Sequence, residues 1–355
     1  MGDTEQMKEK REKIIVTGGA GFVGSLLIQE LQNKHFTREN LICVDQGLFG
    51  FNEVHKKCAH PENLYKTSVR SFTANRTLMA KLLSQTKIVI HLAGLSNDPM
   101  ADYDAIANKD MNCLQTEMIV DRCVEFGVPR FVFASSASVY GDMEENLCRE
   151  DGPISPKSNY ALSKAMGEKY ILNKKGLKPV ILRKGTLYGV SPRMRLDLAI
   201  NTMVTNAVRF KKIELWGGGE NWRPLVHVSD AVRLYMNIVM MSENEYNKFS
   251  KGKIYNVVGC NYRMSELGLQ IAGILDVPVK ARYDMPKDIR TYRTDGSKLF
   301  KNIMFEFDNN LYNAVNNIKK WVEHNDLDNP IFYNMKWIKN CEKVFDNFNM
   351  RFTLV

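Results

Sequence analysis

The 355-residue chain has no unbroken apolar run of the roughly 18 residues that a membrane-spanning helix needs. Its charged opening, MGDTEQMKEKREK, runs straight into a strand-like IIVTGG with no apolar secretory segment between, so a cytoplasmic protein without a membrane partner is expected. Cysteines are few: seven, an odd number, with no C-x-x-C pair. That excludes a disulfide framework or a zinc ribbon and suits reduced thiols. The densest metal-like cluster, His55 with Cys58 and His60, offers only three ligands in a polar stretch, and no metal is expected. The net charge of +9 is not gathered into a stripe with interleaved aromatics, so no nucleic-acid partner is expected either. A basic surface that attracts an anionic substrate accounts for the excess. No internal repeat is present.

What is present is alternation. Apolar residues make up 44% and charged residues 25%, a globular composition. KIIVTGG, NLICVD, ENLYKTSV, KIVIHLAG, RFVFASS and KPVILRKG read as buried strands, and between them lie helically spaced segments such as Phe22, Val23, Leu26, Leu27 and Leu31. This order predicts an α/β fold with a doubly wound parallel sheet of the Rossmann kind over residues 1–190. From 191 to 355 the pattern changes to a smaller, interleaved α/β substrate domain and a tail. SPRMRLDLAINTMVTNAVRF reads as helical, a Gly-rich turn follows at 217–219, and WRPLVHV alternates as a strand. Segments within about 225–260 are expected to pack back on the first sheet. The Asn- and aromatic-rich tail after about residue 323 is expected to cover the core or form a subunit contact.

Thr17-Gly18-Gly19-Ala20-Gly21-Phe22-Val23-Gly24 follows the first strand and opens a helix. Gly18 permits the tight turn, Gly21 lets the backbone approach a pyrophosphate, and Gly24 allows close helix–strand contact, with the helix-start N–H groups facing the phosphates. Asp45 ends the second strand roughly 20 residues on, placed to accept hydrogen bonds from a ribose diol. Gln46 and Gly47 supply no cation for a 2′-phosphate, so NAD is favoured over NADP.

Tyr-x-x-x-Lys occurs at Tyr160–Lys164, Tyr170–Lys174 and Tyr283–Lys287. The last contains Pro286 and cannot be an uninterrupted helix; the second sits by a Lys-Lys-Gly that reads as a helix end. The first follows Pro156 and opens YALSKAMGEKYIL, where a spacing of four puts both side chains on one face. Tyr170 lies about 80° round the helix from Tyr160, so the two pairs do not share a face. A phenol with a pKa near 10 is a poor base at neutral pH, but a neighbouring ammonium and an oxidised nicotinamide ring both favour the phenolate. Tyr160 beside Lys164 is therefore the expected base for a sugar hydroxyl, and Ser135 and Ser136, where a parallel strand ends, supply the hydroxyl that holds the same oxygen.

Together these residues resemble the extended short-chain dehydrogenase family of nucleotide-sugar epimerases and dehydratases. The likeness covers about residues 13–310 and rests on TGGAGFVG, Asp45, HLAGLSNDP, SSASVYG, YALSK, LRKGTLYG and WRPLVHVSD. It implies an NAD enzyme with Ser136, Tyr160 and Lys164 as the catalytic trio, and Phe22, Val23, Ser68, Val69, Leu92, Ala93 and Asn112 beside the cofactor. For a nucleotide-diphospho-sugar it implies Arg223 on the diphosphate, with Thr186, Asn201, Leu215 and Arg290 as further contacts; a homodimer is expected. Departures from the family pattern stand at Ser68, where an acidic residue is common near the adenine, and at Thr186, where asparagine is usual. Met285 precedes PKD where many epimerases have a second phosphate-binding arginine, a place that Arg290 or Arg293 can take.

Three outcomes share this set of residues. A 4-epimerase needs only the trio and NAD, and is the expected activity. A 4-dehydrogenase or 4-keto-sugar reductase needs the same residues. A 4,6-dehydratase also needs the Asp-Glu that family dehydratases carry directly after the Ser/Thr, and here those positions are Ala137 and Ser138, which lowers that reading. A non-catalytic NAD-binding scaffold or nucleic-acid binder on the same fold is the remote alternative, against which the Tyr160–Lys164 pair speaks.

Overall fold

The computed structural model describes residues 11–34, 39–51, 63–143, 147–285, 290–308 and 310–347. The His55, Cys58 and His60 cluster and Lys287 lie outside the described residues. Among the described residues no helix is long and apolar enough to cross a membrane, and no cluster of His, Cys, Asp or Glu is placed to hold a metal.

In chain order the strands are β1 (Lys13–Thr17), β2 (Leu41–Asp45), β3 (Leu64–Lys66), β4 (Thr86–His91), β5 (Phe131–Ser136), β6 (Leu147–Cys148) and β7 (Pro179–Lys184). They continue as β8 (Thr186–Tyr188), β9 (Ile213–Trp216), β10 (Trp222–His227), β11 (Ile254–Val257), β12 (Cys260–Arg263), β13 (Val279–Arg282) and β14 (Arg293–Thr294). The main sheet has the order β11-β7-β5-β4-β1-β2-β3 and is parallel throughout. Helices cover both faces, and β1 feeds both cores: Ile14 and Val16 enter one cluster, Ile15 the other. Burial on both sides is why these strands read as continuous apolar runs. From β1 the sheet runs outward to β2 and β3 on one side and to β4 on the other. That reversal opens a crevice at the C-terminal strand ends, where doubly wound folds bind ligands.

The later chain returns to this sheet and departs from it again. Helix Val228–Met240 packs against helix Phe22–Asn33, and β11 forms the sheet edge beside β7. Between and after these returns, β10 pairs in parallel with β8 and antiparallel with β12, while β13 pairs with β9 and β14 with β6. Helix Ala199–Phe210 packs against helix Leu311–Glu323.

Two sequence expectations are corrected. Residues 191–198 are an irregular loop, and the helix begins only at Ala199. The loop's polar groups find partners outside a helix: Arg195 grips Asp197 through bonds of 2.9 and 3.0 Å, and the Leu196 N–H donates to the Phe332 carbonyl at 2.9 Å. Among the described residues of ENLYKTSV only Leu64–Lys66 is strand, because Ser68 caps a new helix, Val69–Ala74, by accepting from the Ser71 N–H at 3.2 Å. The tail packs on the crevice rim. Trp337 Nε1 donates to the Leu48 carbonyl at 2.6 Å, and Ile338 is buried with Leu95, Met100, Ala107 and Met111.

Candidate active site

The crevice begins at the turn after β1. Gly18 has φ +71°, and a Cβ there would lie 2.6 Å from the Ala93 amide nitrogen. A Cβ on Gly24 would collide with the Gly18 carbonyl oxygen, so turn and helix approach only without side chains. Helix Phe22–Asn33 starts at Gly21 with no side-chain cap, which leaves its first N–H groups for an anion. Asp45 closes this end, accepting from the Ala20 N–H at 2.9 Å and the Gly47 N–H at 2.8 Å. Gly18, Gly21, Phe22, Val23, Gly24, Asp45, Ser68, Val69, Leu92, Ala93, Tyr160 and Lys164 all line the crevice. Bare turn, uncapped helix start and a carboxylate on the same crevice wall fit NAD. Asn112 does not line it. Fully buried in a π-helical turn, Asp110–Leu114, it donates to the Leu95 carbonyl at 3.1 Å and Ser163 Oγ at 3.2 Å, bracing the crevice floor from beneath.

At the other end stands the trio. Ser136 closes β5, and its Oγ accepts from the Ser138 N–H at 3.2 Å and the Ser138 hydroxyl at 2.9 Å. Ser158 caps helix Asn159–Asn173, which places Tyr160 in the first turn and Lys164 one turn on. Lys164 Nζ lies 5.8 Å from the Tyr160 ring centroid and 5.1 Å from that of Phe133. Burial, reinforced by the Asp98 carboxylate, raises the Tyr160 pKa, while the Ser136 hydroxyl and the Arg195 charge pull it down. Burial pushes Lys164 down to about 8, against the opposing pull of Cys113 and Glu168. One helical turn from the phenol, the Lys164 charge favours the phenolate.

The other two tyrosines stand elsewhere. Tyr170 Oη donates to Asp121 Oδ1 at 2.8 Å, and Lys174 Nζ pairs with the same carboxylate at 2.5 Å. Tyr283 is 78% exposed, too open for a shielded base.

On the sugar side the expected contacts divide. Arg223 is buried, donates to the Trp222 carbonyl at 2.7 Å and to the Arg290 carbonyl, and lies 5.2 Å over the Tyr292 ring. Arg290 pairs with Asp98, the carboxylate that acts on Tyr160. Thr186 opens β8 opposite Leu225 of β10. Asn201 has its amide engaged with the Gly189 N–H at 3.0 Å and the Gly189 and Arg195 carbonyls at 2.9 and 2.7 Å, so it ties the loop instead of facing the crevice. Leu215 is a core side chain packed under helix Met264–Leu275.

Sequence reasoning missed Lys184, Arg193, Arg195, Phe49 and Asn334, which line the same crevice. Arg193 donates to Asn334 Oδ1 at 2.7 Å and sits 4.1 Å over the Phe49 ring. The available signal was a pair of arginines in PRMR, just past a strand that ends at the crevice.

Fold and site thus define a dinucleotide-dependent oxidoreductase-type enzyme built on a doubly wound sheet. Residues 14–257 match the NAD dependent epimerase/dehydratase family, and the chain belongs to it. In that family the cofactor is NAD, and its members are nucleotide-sugar epimerases and dehydratases. The chain is 32% identical over 232 residues to YtcB of Bacillus subtilis, an uncharacterised UDP-glucose epimerase, covering 62% of this chain and 70% of that one. It is 27% identical over 302 residues to the dTDP-glucose 4,6-dehydratase of Streptomyces griseus, covering 82% and 88%. Its fold matches UDP-glucuronic acid 4-epimerase from Bacillus cereus, solved with UDP-glucuronic acid and NAD, with a TM-score of 0.71 at 22% identity, covering 88% of this chain and 99% of the other.

Proposed function

We propose that this chain is a nucleotide-sugar 4-epimerase, with Tyr160 as the base at the C4 hydroxyl, Ser136 holding that oxygen and Lys164 favouring the phenolate. The observation that carries the reading is Tyr160 and Lys164, one helical turn apart, at the far end of a crevice that starts at the Gly18–Gly24 turn. Bound NAD supplies a hydride acceptor that can return what it takes. Tyr160 removes the hydroxyl proton as C4 becomes a ketone and gives it back when the ketone is reduced. Ser136 donates to the oxygen throughout, and Lys164 stabilises the phenolate that precedes the first step and follows the second, Tyr160 holding the proton between them. Arg223 and Arg290 are assigned to the diphosphate side, which the basic surface serves. The cofactor unit in this reading is residues 1–190 with the returning segments near 225–260, and the remainder holds the sugar nucleotide.

The name of the Streptomyces relative brings a 4,6-dehydratase as the second reading. Against it, Ala137 and Ser138 carry no acid for expelling the C6 hydroxyl. Incubation with NAD⁺ and UDP-glucose, UDP-glucuronic acid or dTDP-glucose, followed by proton NMR, separates the two. A C4-epimer mixture without net cofactor reduction is expected from at least one sugar; a 4-keto-6-deoxy product, or none from any, contradicts the reading.

A further inference from the structure

Lys184 is a cation that the mechanism above does not use. It ends β7 in register with Ser136 on β5, so it stands beside the residue assigned to the sugar oxygen. Its Nζ donates to Tyr235 Oη at 3.2 Å and lies 5.6 Å from that ring's centroid. Tyr235 is fully buried on helix Val228–Met240 and feels the Tyr160 phenol. Among the described residues no carboxylate pairs with this ammonium. Burial first, and then the charge of Lys164, push it down to about 7. A half-buried ammonium near a second cation carries a cost, and a neutral side chain would pack against Tyr235 without it.

The position explains the cost. With the adenosine ribose at Asp45 and the pyrophosphate at the glycine turn, the nicotinamide falls at the Tyr160 end of the crevice, which Lys184 lines. The oxidised ring carries a positive charge and the reduced ring none. A protonated Lys184 nearby therefore disfavours the oxidised form selectively. At a separation of about 6 Å and an effective dielectric near 20, two unit charges change an equilibrium by a factor of roughly 100.

We propose that Lys184 sets the redox poise of the bound nicotinamide toward its reduced form, so that the first half of the reaction, sugar oxidation, is favoured. The proposal rests on the functional reading above only in placing the nicotinamide beside Tyr160. The electrons balance as in that reading: C4 loses a hydride to the ring and its hydroxyl proton to Tyr160, and Lys184 exchanges nothing with the sugar. The competing explanation is an ammonium that only anchors the Tyr235 phenol.

Titrating the apo-protein with NAD⁺ and with NADH decides between them, through the ratio of the two dissociation constants. Lys184→Met removes the charge, Lys184→Gln removes it but keeps a donor to Tyr235, Lys184→Arg restores it, and Tyr235→Phe removes only the phenol oxygen. The preference for NADH is expected to fall about tenfold or more in the Met and Gln variants, to return in Arg and to be unmoved in Tyr235→Phe. A ratio within about twofold of wild type in a folded Met or Gln variant overturns the proposal, as does one that follows Tyr235→Phe or that Arg does not restore. Unfolding of both neutral variants shows a structural anchor and overturns it too. If none of the nucleotide sugars reduces bound NAD⁺ in the wild type, the functional reading falls while the ratio still judges Lys184.

Discussion

Helix Asn159–Asn173 begins with one Tyr-x-x-x-Lys pair and ends beside another, and their surroundings differ in almost every respect. Tyr160 and Lys164 face a crevice at the end of a parallel sheet, with Ser136 and a second lysine close by. Tyr170 and Lys174 share the exposed carboxylate of Asp121. Burial pushes Lys164 down to about 8, whereas hydrogen bonds to Asp121 and Tyr170 push Lys174 up to about 12. The same residues at the same spacing thus become a deprotonatable cation at one end and an ordinary ion pair at the other. Chemistry at this motif is made by what surrounds it.

The contrast can be sharpened at the lysines. Lys164 holds its proton less tightly folded than unfolded, so the unfolded chain binds more protons between about pH 8 and 10.5. Stability should therefore rise with pH across that window, with the cost fully present below it. Lys164→Met should accordingly stabilise the apo-protein at pH 7, by on the order of 1–3 kcal/mol, in urea unfolding. A clear loss of stability there would mean that the ammonium is fully compensated in the fold. Lys174 has the opposite sign: its contribution is present below about pH 10.5 and fades as the pH rises through 12. Because that pair is open to solvent, Asp121→Asn should cost less than about 1 kcal/mol in the same measurement and leave hydride transfer untouched. A larger effect, or a slowed reaction, would erase the distinction between the two ends.

The sequence made some of this legible and hid the rest for physical reasons. Gly18, Gly24, Asp45, Tyr160 and Lys164 were readable because each belongs to a short contiguous pattern whose spacing is itself the geometry: a turn, a strand end, one helical turn. Lys184 and Ser136 become neighbours only through the β5–β7 register, which no local pattern carries. Asn334 reaches the crevice from a tail helix, and Arg193 meets it there. The loop at 191–198 carries a helix-like pattern, and tertiary partners for its backbone override it. Asn201 and Leu215 were drawn from a resemblance, and the structure shows the first binding its own loop and the second buried in a core. The fold followed from alternation alone because strands buried on both faces cannot hide their composition.

The central claim is that Tyr160, and not Tyr170, moves the sugar's proton. Tyr160→Phe keeps the ring and removes the oxygen, so folding and NAD binding should survive. The measurement is single-turnover reduction of bound NAD⁺, followed at 340 nm with a nucleotide sugar that the wild type accepts, with Tyr170→Phe as the matched control. Tyr160→Phe should slow the step by roughly 10²–10⁴-fold, the usual contribution of a positioned acid–base group, and Tyr170→Phe should leave it near the wild-type rate. Near-normal reduction in Tyr160→Phe, or collapse in Tyr170→Phe alone, would contradict the account.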